Sequence, residues 1–141
     1  MKLMKSKHAV YEIGYHFVFC TKFRHKIFEG CIEPEVTKIL GQTCANYNWI
    51  VKSIEVMPDH VHLYIQTDHT YAPVTIAQIL KSVSAVYIFT KFPNIKQEKF
   101  WGSGLWSSST YYGTVGKITE DKIINYIQSQ KLKKEDRVSS I

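Results

Sequence analysis

Cysteine is scarce in this chain, and the three present, Cys20, Cys31 and Cys44, are odd in number and show no CxxC spacing. That argues against a disulfide framework and against a structural zinc site. The four prolines and seven glycines mark no linker or low-complexity tract, and no internal repeat is visible. No apolar run is long enough to cross a bilayer: the greasiest stretch, Tyr15 to Cys20, is short and broken by His16. Lys2, Lys5 and Lys7 near the start are not followed by the apolar segment of a secretory leader. A phosphate loop is missing too. Gly116-Lys117 hints at one, but Tyr111 stands where the first glycine belongs and Ile118 where Ser or Thr belongs. These absences predict a protein of a reducing compartment, the cytoplasm, with no membrane segment.

What is present is ordinary globular composition. Hydrophobic residues make up 45% and charged residues 21% of 141 positions, which predicts a single domain over 1–141 able to fold on its own core. Eighteen basic against twelve acidic residues leave a formal charge of +6, which favours a polyanionic partner. Aromatics at 13% serve either base stacking or a rich core.

Residues 9–21 are rich in β-branched and aromatic side chains and read as a strand. A basic run follows, Lys22 to Lys26, read as a loop. Residues 33–47 place Val36, Ile39, Leu40, Thr43 and Cys44 at helical spacing, with Pro34 in the first turn and Asn46 to Asn48 as the stop. Trp49 to Met57 and His60 to Gln66 read as two strands, joined by a Pro58-Asp59 turn into a hairpin. Residues 74–91 carry Ile76, Ile79, Leu80, Val83, Val86 and Tyr87 on one helical stripe that ends before Pro93. A short strand is expected around Tyr111, and a last helix from about Thr119 to Lys133. The order β-α-β-β-α-β-α predicts an α+β fold: a ferredoxin-like split βαβ, an antiparallel sheet backed by two helices, with one extra C-terminal helix.

The sharpest local feature is His60-Val61-His62. Residues two apart in a strand share a face, so both imidazoles project together while Val61 enters the opposite side. In so apolar a stretch, two histidines on one face are costly without partners, and metal ligation satisfies both. Two histidines on a solvated sheet face would show the same spacing. A third ligand must come from elsewhere. On the last helix Lys122, Tyr126 and Gln130 are spaced by four and share a ridge. A glutamine amide oxygen with two imidazoles and open positions suits Mg²⁺ or Mn²⁺ better than a closed zinc site. Alone, the Tyr-x-x-x-Gln pair reads as plain helix surface. Asp59 either orients an imidazole or simply makes the turn. His8, His16, His25 and His69 read as surface or satisfied core histidines.

Taken together these residues resemble the HUH single-tyrosine transposases of the insertion-sequence 200/605 type. The resemblance rests on Tyr15-His16-Phe17-Val18-Phe19 leading to Thr21-Lys22-Phe23-Arg24, on Met57-Pro58-Asp59-His60-Val61-His62-Leu63, and on Lys81-Ser82. Leu105-Trp106-Ser107 to Tyr111, Gly116 and Tyr126-Ile127-Gln128-Ser129-Gln130 complete it, in order along most of the chain. It implies that His60, His62 and Gln130 hold the metal and that Tyr126 is the nucleophile. It further implies a small homodimer that nicks and joins single-stranded DNA at hairpin-bearing element ends, through a 5′-phosphotyrosine. In such dimers the tyrosine helix can complete the partner's site. Phe23 departs from the tyrosine that family members often carry there, and Tyr111-Tyr112 offers a second tyrosine pair, assigned to strand packing or DNA contact.

Lys22, Phe23, Arg24 and Lys26 form the best candidate DNA contact, with an aromatic interleaved among cations; Lys81 is a weaker candidate. Each also reads as ordinary solvated surface. Two rivals stand beside the transposase: an HUH replication initiator or relaxase, which generally carries extra domains, and a catalytically idle nucleic-acid-binding module. The idle module suits the strand order, but no Gly-aromatic octapeptide supplies its stacking platform.

Overall fold

The computed structural model describes residues 4–5, 10–11, 13–67, 70–100 and 103–115. The strand expected first is β3, Ile13–Thr21, preceded by a small ribbon in which β1, Met4–Lys5, pairs antiparallel with β2, Val10–Tyr11. A short 3₁₀ turn, Lys22–Arg24, leads on to helix α1, Ile32–Asn46. Glu33 and Glu35 in the first turn of α1 suit the positive end of its dipole. Its end is closed by Asn48, which adopts φ 60°, and by a 2.8 Å bond from the Trp49 N–H to the Cys44 carbonyl. Strands β4, Ile50–Met57, and β5, His60–Thr67, then form the expected hairpin, with Met57 opposite His60 across Pro58-Asp59. Helices α2, Pro73–Lys91, and α3, Pro93–Phe100, precede β6, Trp106–Val115.

The main sheet has four strands in the order β4-β5-β3-β6, with every neighbouring pair antiparallel. β5 enters between β3 and β4, which the α1 crossover separates: this is the split βαβ order, and the fold is α+β. One face is apolar. Phe17 and Phe19 from β3, Val56 from β4, and Val61, Leu63 and Ile65 from β5 share a core with Val36, Leu40 and Cys44 of α1 and Ile76, Leu80 and Ile88 of α2. Burial pushes the Cys44 thiol up to about 12, which leaves it inert.

The short strand expected around Tyr111 is the ten-residue β6, and two α-helices also differ from the sequence expectation. On α2 the buried residues are Ile76, Ala77, Leu80, Ser84 and Ile88, while Val83 and Val86 are exposed. A serine inside the stripe rotates it: the Ser84 hydroxyl donates to the Leu80 carbonyl at 2.6 Å and accepts the Trp106 indole N–H at 2.9 Å. Both polar groups are thereby satisfied in the core. Beyond α2, Pro93 does not only stop one helix but starts the next, a first position that its fixed φ suits. That helix, α3, lacks an apolar period and is anchored by fully buried Phe100. The expected helix at 119–133 lies outside the described residues.

Candidate active site

The alternation that sends Val61 and Leu63 under the helices sends His60, His62, Tyr64 and Gln66 to the other face. Cross-strand register fixes their neighbours: Cys20 and Met57 flank His60, and Val18 and Glu55 flank His62. His62 is buried at 5% exposure. The two imidazoles lie edge to face with ring centroids 4.9 Å apart. A third ring, His16 on β3, stacks nearly parallel to His62 at 5.9 Å, and Tyr111 on β6 sets its edge against His16, also at 5.9 Å. Gly14 is required on this face, because a Cβ there would lie 2.5 Å from the buried Tyr64 ring.

Burial, with the neighbouring imidazoles of His60 and His16 adding to it, pushes His62 down to about 4. His16 is lowered in the same direction by burial. His62 is therefore neutral at physiological pH and keeps a ring-nitrogen lone pair, the form in which histidine binds a metal. Among the described residues no cluster of three or more His, Cys, Asp or Glu can hold a metal ion. The donor set present is two imidazoles, which suits a divalent ion only if another donor joins them.

Asp59, in the turn before β5, faces both ways. Its Oδ1 lies 2.6 Å from His60 Nδ1, and its Oδ2 accepts from Arg24 Nε at 3.1 Å. Burial alone would raise the Asp59 carboxyl, but the bonds from His60 and Arg24, with their charges, outweigh it and hold the carboxyl below its usual range. Arg24 belongs to the basic loop, where two consecutive non-glycine residues take left-handed backbone, Phe23 at φ 62° and Arg24 at φ 55°. Such a conformation costs about 1–2 kcal/mol per residue and persists only where the surroundings hold it. Here they do. The Thr21 N–H donates to the Asp59 carbonyl at 2.9 Å, the Thr21 hydroxyl donates to the His25 carbonyl at 2.8 Å, and the Phe28 N–H donates to the Pro58 carbonyl at 3.0 Å. Phe23 is 56% exposed, with the Lys22 ammonium 5.5 Å from its ring centre, and Lys26 is exposed as well.

The structure thus brings His60 and His62 together and docks the loop of Lys22, Phe23, Arg24 and Lys26 against the same turn. Lys81 sits elsewhere, on the helix side of the sheet. Its ammonium lies over the Phe19 ring and donates to the carbonyls of Ser107 at 2.9 Å and Ser109 at 3.3 Å, tying α2 to β6. Tyr126 and Gln130 lie outside the described residues. Sequence reasoning missed the proximity of His16 and Glu55 to the histidine pair. The signal was a single ionisable residue at an inner position of each strand, His16 within Tyr15–Cys20 and Glu55 within Ile54–Met57, but only the sheet order shows that both meet His62.

Comparison with known proteins gives a consistent result. The family model described as "Transposase IS200 like" matches residues 9–130. The ISDra2 transposase TnpA of Deinococcus radiodurans is 35% identical over 130 residues, covering 92% of each chain. The transposase for insertion sequence element IS200 of Salmonella typhimurium is 29% identical over 123 residues, 87% of this chain and 80% of that one. Among solved structures, a Deinococcus radiodurans protein assigned as a transposase superimposes with a TM-score of 0.74 at 31% identity, over 90% of this chain and 97% of the other. A REP-associated tyrosine transposase bound to a REP hairpin shares the fold with a TM-score of 0.63 at 12% identity, over 92% and 74% of the two chains.

Proposed function

The chain belongs to the IS200-like transposases, and from that premise we propose that it nicks and rejoins single-stranded DNA at hairpin-bearing element ends with Tyr126 as nucleophile. The observation that carries this reading is the histidine pair, two imidazoles set edge to face 4.9 Å apart with His62 buried and held neutral, inside a family match that extends to residue 130 and so takes in Tyr126 and Gln130.

In this reading His60, His62 and Gln130 hold a Mg²⁺ or Mn²⁺ ion. Bound there, the ion supplies Lewis-acid polarisation of the scissile phosphate and charge stabilisation at the leaving oxygen. The rest falls to the chain's own residues. A phenol with an unperturbed pKa near 10 is a weak nucleophile at neutral pH, so Tyr126 must lose its proton as its oxygen attacks phosphorus. The P–O3′ bond breaks, the 3′ oxygen takes up a proton, and the DNA's 5′ end remains on Tyr126 as a phosphotyrosine. A 3′-hydroxyl then attacks that phosphorus and restores the phenol. One phosphoester is exchanged for another at each step, so joining needs no nucleotide cofactor.

Lys22, Arg24 and Lys26 hold phosphates while Phe23 stacks a base; their loop is docked beside the histidines, which sets bound DNA near the reacting centre. Lys81, tied to β6, is the weaker contact. The hairpin as substrate is supported by the related fold that was solved on a REP hairpin. We place the enzyme in the cytoplasm as a homodimer, whose second copy is one source of the missing donor.

The test is incubation of labelled single-stranded hairpin DNA with the protein and Mg²⁺, followed by denaturing electrophoresis. A covalent protein–DNA band that chelator removes is expected. A shift on native gels with no covalent band would leave the idle binding module as the better reading.

A further inference from the structure

Turn formation does not account for the Asp59 side chain. The backbone carbonyl of Asp59 already takes the Thr21 N–H at 2.9 Å and lies 3.3 Å from the Thr21 hydroxyl, and the Pro58 carbonyl takes the Phe28 N–H. The carboxylate is engaged sideways, one oxygen on His60 Nδ1 and the other on Arg24 Nε. Each contact has a consequence. A carboxylate on Nδ1 holds the proton on that nitrogen and leaves Nε2 of His60 as the ring's free lone pair, with the ring plane fixed. The Arg24 contact ties the same carboxylate to the left-handed Phe23–Arg24 backbone, so the loop that carries the candidate DNA contacts and the first histidine share one anchor.

We propose that Asp59 is a positioning residue: it presents Nε2 of His60 to the divalent ion and, through Arg24, links that presentation to the geometry of the Lys22–Lys26 loop. The inference rests on the metal-binding reading of His60 and His62. It goes beyond that reading by assigning a role to a side chain that touches neither metal nor DNA phosphate, and by giving Arg24 an effect on the metal site with no DNA present.

Two readouts without DNA or turnover test it. The first is the His60 tautomer in the metal-free protein, read at pH 8 from ¹⁵N–¹H correlation of the imidazoles, with the His60→Gln spectrum as assignment. The proton is expected on Nδ1 in the wild type, and predominantly on Nε2 in Asp59→Ala. Asp59→Asn keeps an acceptor oxygen and is expected to retain the wild-type tautomer in part. The second is Mn²⁺ titration followed by electron paramagnetic resonance. Loss of a residue that orients a metal ligand typically weakens binding 10–100-fold. Asp59→Ala is expected in that range, Asp59→Asn between it and wild type, and Arg24→Gln weakened by less than Asp59→Ala. Thermal melts check folding, and Asp59→Asn carries both readouts if Asp59→Ala does not fold.

An unchanged tautomer with Mn²⁺ affinity within twofold of wild type in the Asp59 variants would overturn the positioning role while leaving the metal reading intact. Wild-type affinity in Arg24→Gln would overturn the Arg24 link. A wild-type protein that binds no Mn²⁺ would overturn the metal reading and this inference with it.

Discussion

Along β5 alternate residues part company. Val61, Leu63 and Ile65 enter the apolar core beneath α1 and α2, while His60, His62, Tyr64 and Gln66 turn to the opposite face, where His16 and Glu55 join them from the flanking strands. Burial does not separate the two sets: Leu63, Ile65, Tyr64 and Gln66 are all fully buried, and His62 nearly so. Chemistry does. The helix face is what a small α+β domain needs to stay folded, whereas the other face carries imidazoles in a desolvated setting that stability does not call for. That setting costs free energy and also keeps His62 neutral, the state in which it can bind a metal.

The comparison is sharpest at adjacent residues. His62→Ala should remove DNA cleavage by more than about 100-fold, because weakening even a partner of a metal ligand costs 10–100-fold. Its thermal melt should fall by less than that of Leu63→Ala, because the ring removed is polar and was buried at a desolvation cost that offsets part of the cavity. Leu63→Ala, one residue on and facing the helices, should do the reverse. A leucine cavity in a core costs about 2–5 kcal/mol, or roughly 8–20 °C in Tm for a domain of this size, and the protein that remains folded should cleave normally. Cleavage assays and melts on the two variants check both. Equal loss of stability and activity in the two would erase the distinction between the faces.

A smaller effect is expected from pH. The folded-state value of His62, about 4, lies below the roughly 6.5 of an unfolded histidine. The group therefore contributes stability that is fully present above about pH 6.5 and is lost as pH falls through the window toward 4. His16 acts in the same direction. Asp59, held below its usual range, adds a loss at still lower pH. The Tm of metal-free protein should fall from pH 7 to pH 4, and His62→Gln should flatten that slope. A Tm that is level across this window in the wild type would contradict the buried neutral histidine.

Much of this was readable along the chain wherever the signal was local. The α1 stripe of Val36, Ile39, Leu40, Thr43 and Cys44 is buried as its spacing predicts. The Pro58-Asp59 hairpin turn and the shared face of the two histidines follow from period two alone. Failures came where distant residues decide. Nothing near Ser84 signals its burial, because its partner is the Trp106 indole from another element. Pro93 reads as a stop until Phe100 is seen to anchor a helix behind it. His16 read as an ordinary histidine because its stacking on His62 depends on β3 lying beside β5. The bridge from Arg24 through Asp59 to His60 depends on a left-handed loop that no glycine announces.

The central claim is that this chain cuts DNA with Tyr126 beside the histidine pair. A rival tyrosine lies in view, since Tyr111 is 62% exposed and its ring rests against His16. The most direct measurement is peptide mapping by mass spectrometry of the covalent adduct formed on single-stranded hairpin DNA with Mg²⁺. The nucleotide mass should sit on the peptide containing Tyr126. An adduct on Tyr111 or Tyr112, or none at all under conditions where the DNA is cut, would contradict the account.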